Sequence, residues 1–142
     1  MGILEFANEG VVTVEPETSV AAAAQLMKER SVSCLVVLEG RRPVGVLTER
    51  DIVRRTVALD ADPRQATVAS AMTAPVTTVP ETVGLAGALE LMRRKGVKHL
   101  PVTDDRGQLC GFFTFNNVLY LLGFGLHAVT GVADRERGVA AP

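Results

Sequence analysis

The chain has 142 residues, of which 47% are hydrophobic and 22% charged, a composition typical of one globular domain or of two small ones that share a core. Fifteen Lys and Arg residues against 16 Asp and Glu give a net charge of −1, so no global field attracts nucleic acid or an anionic membrane. The longest nearly charge-free apolar run, Gly111 to Leu126, is too short and too polar to cross a bilayer. With two cysteines, no CxxC pair and no export signal, we expect a protein of the reduced cytoplasm.

The first predicted elements are a short extended segment and an amphipathic helix. The segment around Thr13 ends at Pro16, which stops strand pairing. The helix has a candidate N-cap at Ser19 and basic residues in its last turn, where the helix dipole favours cations. Its apolar face is formed by Val20, Ala23, Ala24 and Met27.

Two strands and a second helix follow. The strands are predicted at Cys34–Leu38 and Val44–Thr48, separated by residues 39–43, which are rich in turn formers. The second helix begins at Thr48. Residues 60–64 then form a polar turn, and Val68 to Met72 form a short helix.

The same order of elements then returns. Residues 12–18 reappear at 76–82, an offset of 64, and the Leu-Met pair at 26–27 reappears at 91–92, an offset of 65. The Gly-x-x-Thr segment at 45–48 reappears at 111–114, an offset of 66. In the second copy Thr82 is the candidate N-cap, and the strands are Leu100–Thr103 and Leu109–Thr114. The apolar face of its first helix is formed by Leu85, Ala88, Leu89 and Met92.

The repeat predicts an α+β fold made of two β-α-β-β-α units. One such unit is too small to bury enough apolar surface alone, so we expect the two to pack sheet to sheet about a pseudo-two-fold axis. The expected organisation is repeat 1 at residues 1–60, a linker with a short helix at 61–73, repeat 2 at 74–123 and a tail at 124–142. Gly123 and Gly125 end the last helix.

Each copy resembles a CBS domain, and the pair resembles a Bateman module. The motifs are the V-T-V-x-P opening, the helix ending in Leu-Met, and the closing Gly-x-x-Thr-x-x-Asp; the second copy adds the G-V-K-H-L-P-V segment at 96–102. The resemblance covers roughly residues 11–122, with Met72-Thr73 between the copies. It implies a dimeric sensor of adenosine compounds, such as AMP, ADP, ATP or S-adenosylmethionine, that regulates an effector. No effector domain is recognisable in this sequence.

The Thr48-x-x-Asp51 segment is the first candidate ligand site. A threonine hydroxyl can cap the helix that begins there, and the N–H groups of the first turn favour a nearby phosphate. The Asp51 carboxylate offers acceptors for the 2′ and 3′ hydroxyls of a ribose. The resemblance implies that the other copy completes this site with Thr77, Val97, Lys98 and His99. Lys98 and a protonated His99 would be cations for a phosphate.

Simpler interpretations stand beside these roles. Thr48 alone is an N-cap, Asp51 alone a first-turn acid, His99 a histidine at the edge of the core, and Lys98 a solvated cation. The two cysteines, Cys34 and Cys110, are expected to be small buried hydrophobes, and His127 to lie at the surface. The spacing of the histidines and cysteines predicts no metal site.

The second copy carries a weaker version of the same pattern. Thr114 is retained, but Asn117 replaces the aspartate, so one neutral amide oxygen stands where the first copy has a carboxylate. The complementary residues, Thr13, Val32 and Ser33, include no cation. We expect this second site to be weaker, empty or used by a less charged group.

The leading hypothesis is a regulatory module that binds an adenine nucleotide and signals to a separate, unidentified effector protein. We expect no enzymatic activity and no cofactor, because no Walker A, GxSxG, HExxH or Cys-His signature is present. We expect a homodimer formed through the small residues of the helices at 20–27 and 85–92.

Two alternatives remain. One is a dimeric interaction or scaffold protein with vestigial sites, whose late apolar residues Tyr120, Leu121 and Phe124 dock a partner. The other is nucleic-acid binding, which the neutral chain and its single tyrosine disfavour. Its candidate residues are Arg41, Arg42, Arg93, Arg94 and Lys95.

Overall fold

A computed structural model describes residues 2–8 and 10–123. After a single 3-10 turn at Ile3–Glu5, the chain forms six strands and five helices within these residues. The strands are β1 Thr13–Val14, β2 Cys34–Glu39, β3 Arg42–Thr48, β4 Val79–Pro80, β5 His99–Thr103 and β6 Leu109–Thr114. The helices are α1 Val20–Arg30, α2 Glu49–Ile52, α3 Val68–Ala71, α4 Leu85–Lys95 and α5 Phe115–Leu122, and α2 continues as a π-helix over Val53–Val57.

The strands form two three-stranded sheets with the same topology. In each sheet the short first strand pairs parallel with the middle strand, which pairs antiparallel with the third, in the orders β1-β2-β3 and β4-β5-β6. The registers also correspond, because Cys34 lies opposite Thr48 in one sheet and His99 lies opposite Thr114 in the other. The predicted β-α-β-β-α order, present twice, is therefore confirmed.

Each sheet is covered by the apolar face of its own helices. Val20, Ala23 and Met27 of α1 are buried against β2 and β3, and Ala88 and Met92 of α4 are buried in the second repeat. Burying these faces removes apolar surface from water, which is the main force holding each helix on its sheet. The small residues that remain at the surface of these helices include Ala22, Ala86 and Gly87.

A third apolar cluster joins the two sheets. Its buried members are Cys34 and Val36 from β2 and Phe112 from β6, with Val46 and Leu109 partly buried against them. The backbone also crosses between the repeats, since the Leu109 N–H donates to the Arg41 carbonyl at 2.9 Å. The predicted sheet-to-sheet packing is confirmed.

The segment that precedes each repeat packs against the other repeat. These two exchanged segments are residues 2–8 and 68–73. Ile3, at the start of the chain, is fully buried in the core of the second repeat, whereas Val68 and Ala71 are buried in the core of the first. Asn8 pairs with Phe112 on β6, and Thr73 pairs with Val46 on β3. Each repeat is thus completed by the segment that leads into the other one.

Glycine permits the close approach of one exchanged segment. A Cβ at Gly45 on β3 would lie 2.7 Å from the Met72 sulfur, which is closer than real contacts, and 3.0 Å from the Thr73 carbonyl oxygen, which is tighter than most of them. The missing side chain therefore lets Thr73 reach β3 and form its two backbone hydrogen bonds with Val46.

The helix starts were predicted with one error. Ser19 caps α1 by accepting a hydrogen bond from the Ala22 N–H at 3.1 Å, and Thr48 and Thr114 cap α2 and α5. Thr82 is not a cap, because α4 begins only at Leu85 and Gly84 occupies the N-cap position. Thr82 lies two residues before this N-cap, and no side-chain hydrogen bond caps α4. No helix in the described part of the chain is long and apolar enough to span a membrane.

Candidate functional site

Thr48 and Asp51 form a capping box at the start of α2. The Asp51 N–H donates to Thr48 Oγ1 at 3.1 Å, and the Thr48 N–H donates to Asp51 Oδ2 at 3.0 Å. Because each side chain accepts a hydrogen bond from the backbone N–H of the other residue, both are held in fixed positions between β3 and α2. The capping interpretation of Thr48 is therefore correct, and it also fixes the orientation of the Asp51 carboxylate.

The other Asp51 oxygen is contacted by the exchanged segment. Thr73 Oγ1 donates to Asp51 Oδ1 at 3.1 Å, and Arg55 Nη1 lies 3.9 Å from the same oxygen. A carboxylate has roughly four acceptor positions, and the hydrogen bonds from Thr48 and Thr73 use one on each oxygen. Each oxygen therefore keeps an unused acceptor position, although only 12% of the side chain is exposed.

His99 is brought to this site from the second repeat. Its ring stacks on Phe112, with centroids 5.8 Å apart, and the Asp51 charge acts on it across the sheet interface. Burial lowers the pKa of His99, and the neighbouring Lys98 charge lowers it further, while Asp51 opposes the change. The imidazole of the free protein is therefore mostly neutral at pH 7, and the expectation that a protonated His99 meets a phosphate stays a prediction.

Lys98 is the cation that the second repeat contributes beside His99. Its side chain is exposed beside His99, and its backbone carbonyl accepts a hydrogen bond from the Phe115 N–H at the start of α5. Thr77 is half-buried in the irregular stretch before β4, and Val97 is partly buried against the second core. Thr77 forms no side-chain hydrogen bond with Thr48 or Asp51 in the part of the chain that the structure describes.

The second site has the same capping box, but its acceptor is the amide oxygen of Asn117. Asn117 Oδ1 accepts from the Thr114 N–H at 2.7 Å and from Thr114 Oγ1 at 2.9 Å. Its Nδ2 donates to Asn8 Oδ1 at 3.3 Å. Because an amide oxygen has two lone pairs and Thr114 uses both, Asn117 has no acceptor position left for a ribose hydroxyl.

The residues expected to complement the second site make no side-chain hydrogen bond with Thr114 or Asn117 among the described residues. The Ser33 carbonyl accepts from the Glu49 N–H at 3.1 Å, which is the same contact that the Lys98 carbonyl makes with the Phe115 N–H in the other repeat. Val32 is partly buried against the first core. Thr13 lines an open groove of about 650 Å³ between β1 and α1, whose walls include Gln25 and Glu29 but neither Thr114 nor Asn117.

Neither cysteine is activated as a nucleophile. Burial, together with the Asp51 charge, raises the pKa of Cys34 to about 12, which fits its expected role as a small hydrophobe between the sheets. Cys110 is only partly buried, and its thiol donates to Glu81 Oε2 at 3.5 Å; burial and this carboxylate raise its pKa to about 11. Both thiols therefore stay protonated near neutral pH. Among the residues described, no group of three or more His, Cys, Asp or Glu side chains could hold a metal ion.

Three contacts of the sites were not predicted from the sequence: those of Arg55 and Thr73 with Asp51, and that of Asn8 with Asn117. The repeat held part of the signal, because Asn8 and Thr73 are related by the same offset of 65 that relates the Leu-Met pairs. His127 and Phe124 lie outside the described residues.

The fold defines a pair of related α+β domains with equivalent sites. The CBS domain family matches residues 3–58 and again residues 68–123, so the chain belongs to this family. Among solved structures, the CBS-pair protein CBSX2 of Arabidopsis thaliana is 27% identical, with a TM-score of 0.75 over 85% of this chain and 93% of that one. A hexameric CBS-CP12 protein from bloom-forming cyanobacteria is 28% identical, with a TM-score of 0.74 over 84% of this chain and 70% of that one.

Curated relatives share the same region but are longer. An uncharacterized protein of Methanopyrus kandleri is 34% identical over 116 residues, and the match covers 81% of this chain and 59% of that protein. The inosine-5′-monophosphate dehydrogenase of Korarchaeum cryptofilum is 35% identical over 115 residues, which is 81% of this chain but only 23% of that enzyme. The likeness to the dehydrogenase is therefore partial.

Proposed function

We propose that the protein is a regulatory module whose Asp51 site binds the ribose of an adenosine compound. The observation that carries the proposal is the state of the Asp51 carboxylate, which is fixed by Thr48 and Thr73 and still has an unused acceptor position on each oxygen. Two such positions match the two adjacent hydroxyls of a ribose. Membership in the CBS family supports an adenosine compound as the ligand class.

Charge at the site favours a ligand with few phosphates. Lys98 is the exposed cation beside His99, and His99 is mostly neutral in the free protein. Arg55, whose side chain is 45% exposed beside Asp51, is the other cation near the site, and exposed cations offer modest, salt-screened attraction to a phosphate. AMP and adenosine are therefore the preferred ligands in this proposal, and binding is read out by a separate effector protein.

Calorimetric titration of AMP and adenosine tests the proposal directly. AMP should bind more tightly than adenosine, and Lys98→Ala should weaken AMP binding by about two- to fivefold while leaving adenosine unchanged, since only the phosphate loses a partner. Lys95→Ala, at the exposed end of α4, is the matched control. If neither AMP, adenosine, ATP, S-adenosylmethionine nor NAD gives heat or raises the melting temperature, the proposal is wrong.

The scaffold alternative gains support from exposed apolar side chains on the second helix of each repeat. Val53 is 56% exposed and Val57 66% exposed after α2, and Leu119, Tyr120 and Leu122 on α5 are 48%, 67% and 70% exposed. Apolar patches of this kind mark association surfaces. We propose that they pair two copies of the chain, so that dimerisation accompanies ligand binding and does not replace it.

A further inference from the structure

Arg55 fastens the exchanged segment to the first repeat. Its Nη1 donates to the Met72 carbonyl at 2.6 Å and to the Ala71 carbonyl at 3.1 Å. These carbonyls lie at the C-terminal end of α3, where backbone acceptors have no partner within the helix. A guanidinium is suited to this position because it is always charged and complements the negative end of the helix dipole.

The same nitrogen also acts on Asp51 through Thr73. Arg55 Nη1 has two hydrogens and lies closer to the Met72 and Ala71 carbonyls, so Thr73 Oγ1, at 3.4 Å, shares one of these hydrogens in a bifurcated hydrogen bond. Thr73 Oγ1 in turn donates to Asp51 Oδ1 at 3.1 Å. A hydroxyl that accepts a hydrogen bond from Arg55 keeps its own hydrogen for the carboxylate. Arg55 thus orients the hydroxyl that holds one of the two Asp51 oxygens.

Among the described residues, the second repeat has no equivalent of this contact. The offset of 66 that relates the ends of the two sheets places Leu121 where the first repeat has Arg55. Its exchanged segment reaches Asn117 by one hydrogen bond from the asparagine amide to Asn8, at 3.3 Å. The contact of an arginine with the exchanged segment is therefore a feature of the Asp51 site and not of the repeated fold.

We propose that Arg55 is a positioning residue of the Asp51 site and that it couples the occupancy of that site to the segment at residues 71–73. This inference rests on the proposed ribose binding at Asp51. A ligand that engages Asp51 Oδ1 shares this oxygen with Thr73, so binding changes the contact that Arg55 and Thr73 make with the exchanged segment. Because that segment completes the first core and leads into the second repeat, it can carry the change beyond the site.

A direct contact between Arg55 and a phosphate is the competing role. The Arg55 side chain is 45% exposed, so its other N–H groups face outward. The two roles differ in their ligand dependence. Action through Thr73 and Asp51 affects the ribose and so weakens adenosine and AMP alike, whereas a phosphate contact affects AMP alone.

Calorimetry on Arg55→Met and Arg55→Lys separates these roles. Arg55→Met should weaken both adenosine and AMP by roughly five- to tenfold, and Arg55→Lys should recover part of the loss, since an ammonium restores the charge but not the planar fork. Arg54→Met is the matched control, because Arg54 is exposed and makes no side-chain hydrogen bond or ion pair with the residues described. A loss confined to AMP, or affinities equal to those of the unaltered protein, would overturn the inference.

A double-mutant cycle with Thr73→Val checks the route. If Arg55 acts through Thr73, the double variant should bind adenosine no more weakly than the weaker single variant, and additive losses would contradict this. Amide hydrogen exchange at Met72 and Thr73 should change on adding adenosine to the unaltered protein and not to Arg55→Met; the same change in both overturns the coupling. If the unaltered protein binds neither ligand, the proposed function itself fails, and that result is distinct from the others.

Discussion

The two capping boxes have the same backbone geometry but differ in one atom. The side chain at the third helical position is the carboxylate of Asp51 in the first repeat and the amide of Asn117 in the second. Both side chains accept a hydrogen bond from the backbone N–H of the N-cap threonine, so both complete a capping box. Replacing one carboxylate oxygen by an NH₂ group removes acceptor capacity, and the remaining amide oxygen is fully used by Thr114.

Substitutions at these two residues should therefore have unequal effects on ligand affinity. Asp51→Asn should weaken the tightest AMP binding about tenfold or more, because a hydrogen bond to a charged group is stronger than one to a neutral group. Asn117→Ala should leave the tightest affinity unchanged. Calorimetry on the two variants, with circular dichroism to confirm folding, measures the difference. The opposite pattern would mean that the second repeat holds the main site.

His99 gives the protein a pH-dependent stability. Its pKa in the folded state is below the ordinary value of 6.5, chiefly because the ring is buried. The unfolded chain therefore binds a proton more readily, so stability should fall as the pH drops below about 6.5 and level off once the pH is below the folded pKa. His99→Gln should flatten this decline, which urea unfolding between pH 5 and 8 would measure. A decline that is equally steep in the variant would assign it to other groups.

At the scale of single elements, the ends of the two equivalent helices differ. Both α1 and α4 end at a residue in the left-handed conformation, which is Ser31 with φ 54° in the first repeat and Gly96 with φ 65° in the second. Glycine adopts this conformation without the steric cost that a side chain adds. The first repeat therefore holds a strained helix end that the second repeat avoids.

Exchanging these residues should change stability in opposite directions. Ser31→Gly should raise the free energy of unfolding by about 0.5–1 kcal/mol, and Gly96→Ala should lower it by about 1 kcal/mol. No atom lies within 4 Å of a Cβ built at Gly96, so the cost there comes from the backbone alone. Urea denaturation with a constant m-value is the measurement. A stabilising Gly96→Ala would show that the left-handed conformation is not kept in solution.

Most elements could be predicted because their patterns are local. Apolar spacing located α1 and α4, and the hydroxyl residues Ser19, Thr48 and Thr114 located three helix starts. Thr82 was a wrong prediction, because a threonine near a helix is not a cap unless the chain turns at that residue, and here the turn comes at Gly84. The π-helical continuation at Val53–Val57 was not predicted, since its residue types also suit an α-helix.

At the scale of the whole molecule, the exposed apolar residues decide where a second copy can bind. The buried faces of α1 and α4 are used by the cores, so the larger exposed apolar side chains lie on the second helix of each repeat. Val57→Glu should therefore shift a dimer toward monomer in sedimentation at tens of micromolar. Gln25→Glu, on the exposed side of α1, should not. If the unaltered protein sediments as a monomer, or if only the α1 variant dissociates, the proposed surface is wrong.

The sequence by itself determined the repeat, the order of elements and the residue types at the two sites. These features depend on local patterns, namely apolar periodicity, turn residues and capping side chains. Each pattern spans only a few positions and occurs in both copies of the repeat. Comparison of the two copies in the sequence also showed that the second site has Asn117 where the first has Asp51. Only the tertiary structure decided what surrounds these residues: that the leading segments exchange between the repeats, that Arg55 and Thr73 meet Asp51, and that His99 is mostly neutral. Such contacts join residues far apart in the chain, and a pKa depends on burial, so neither follows from local patterns.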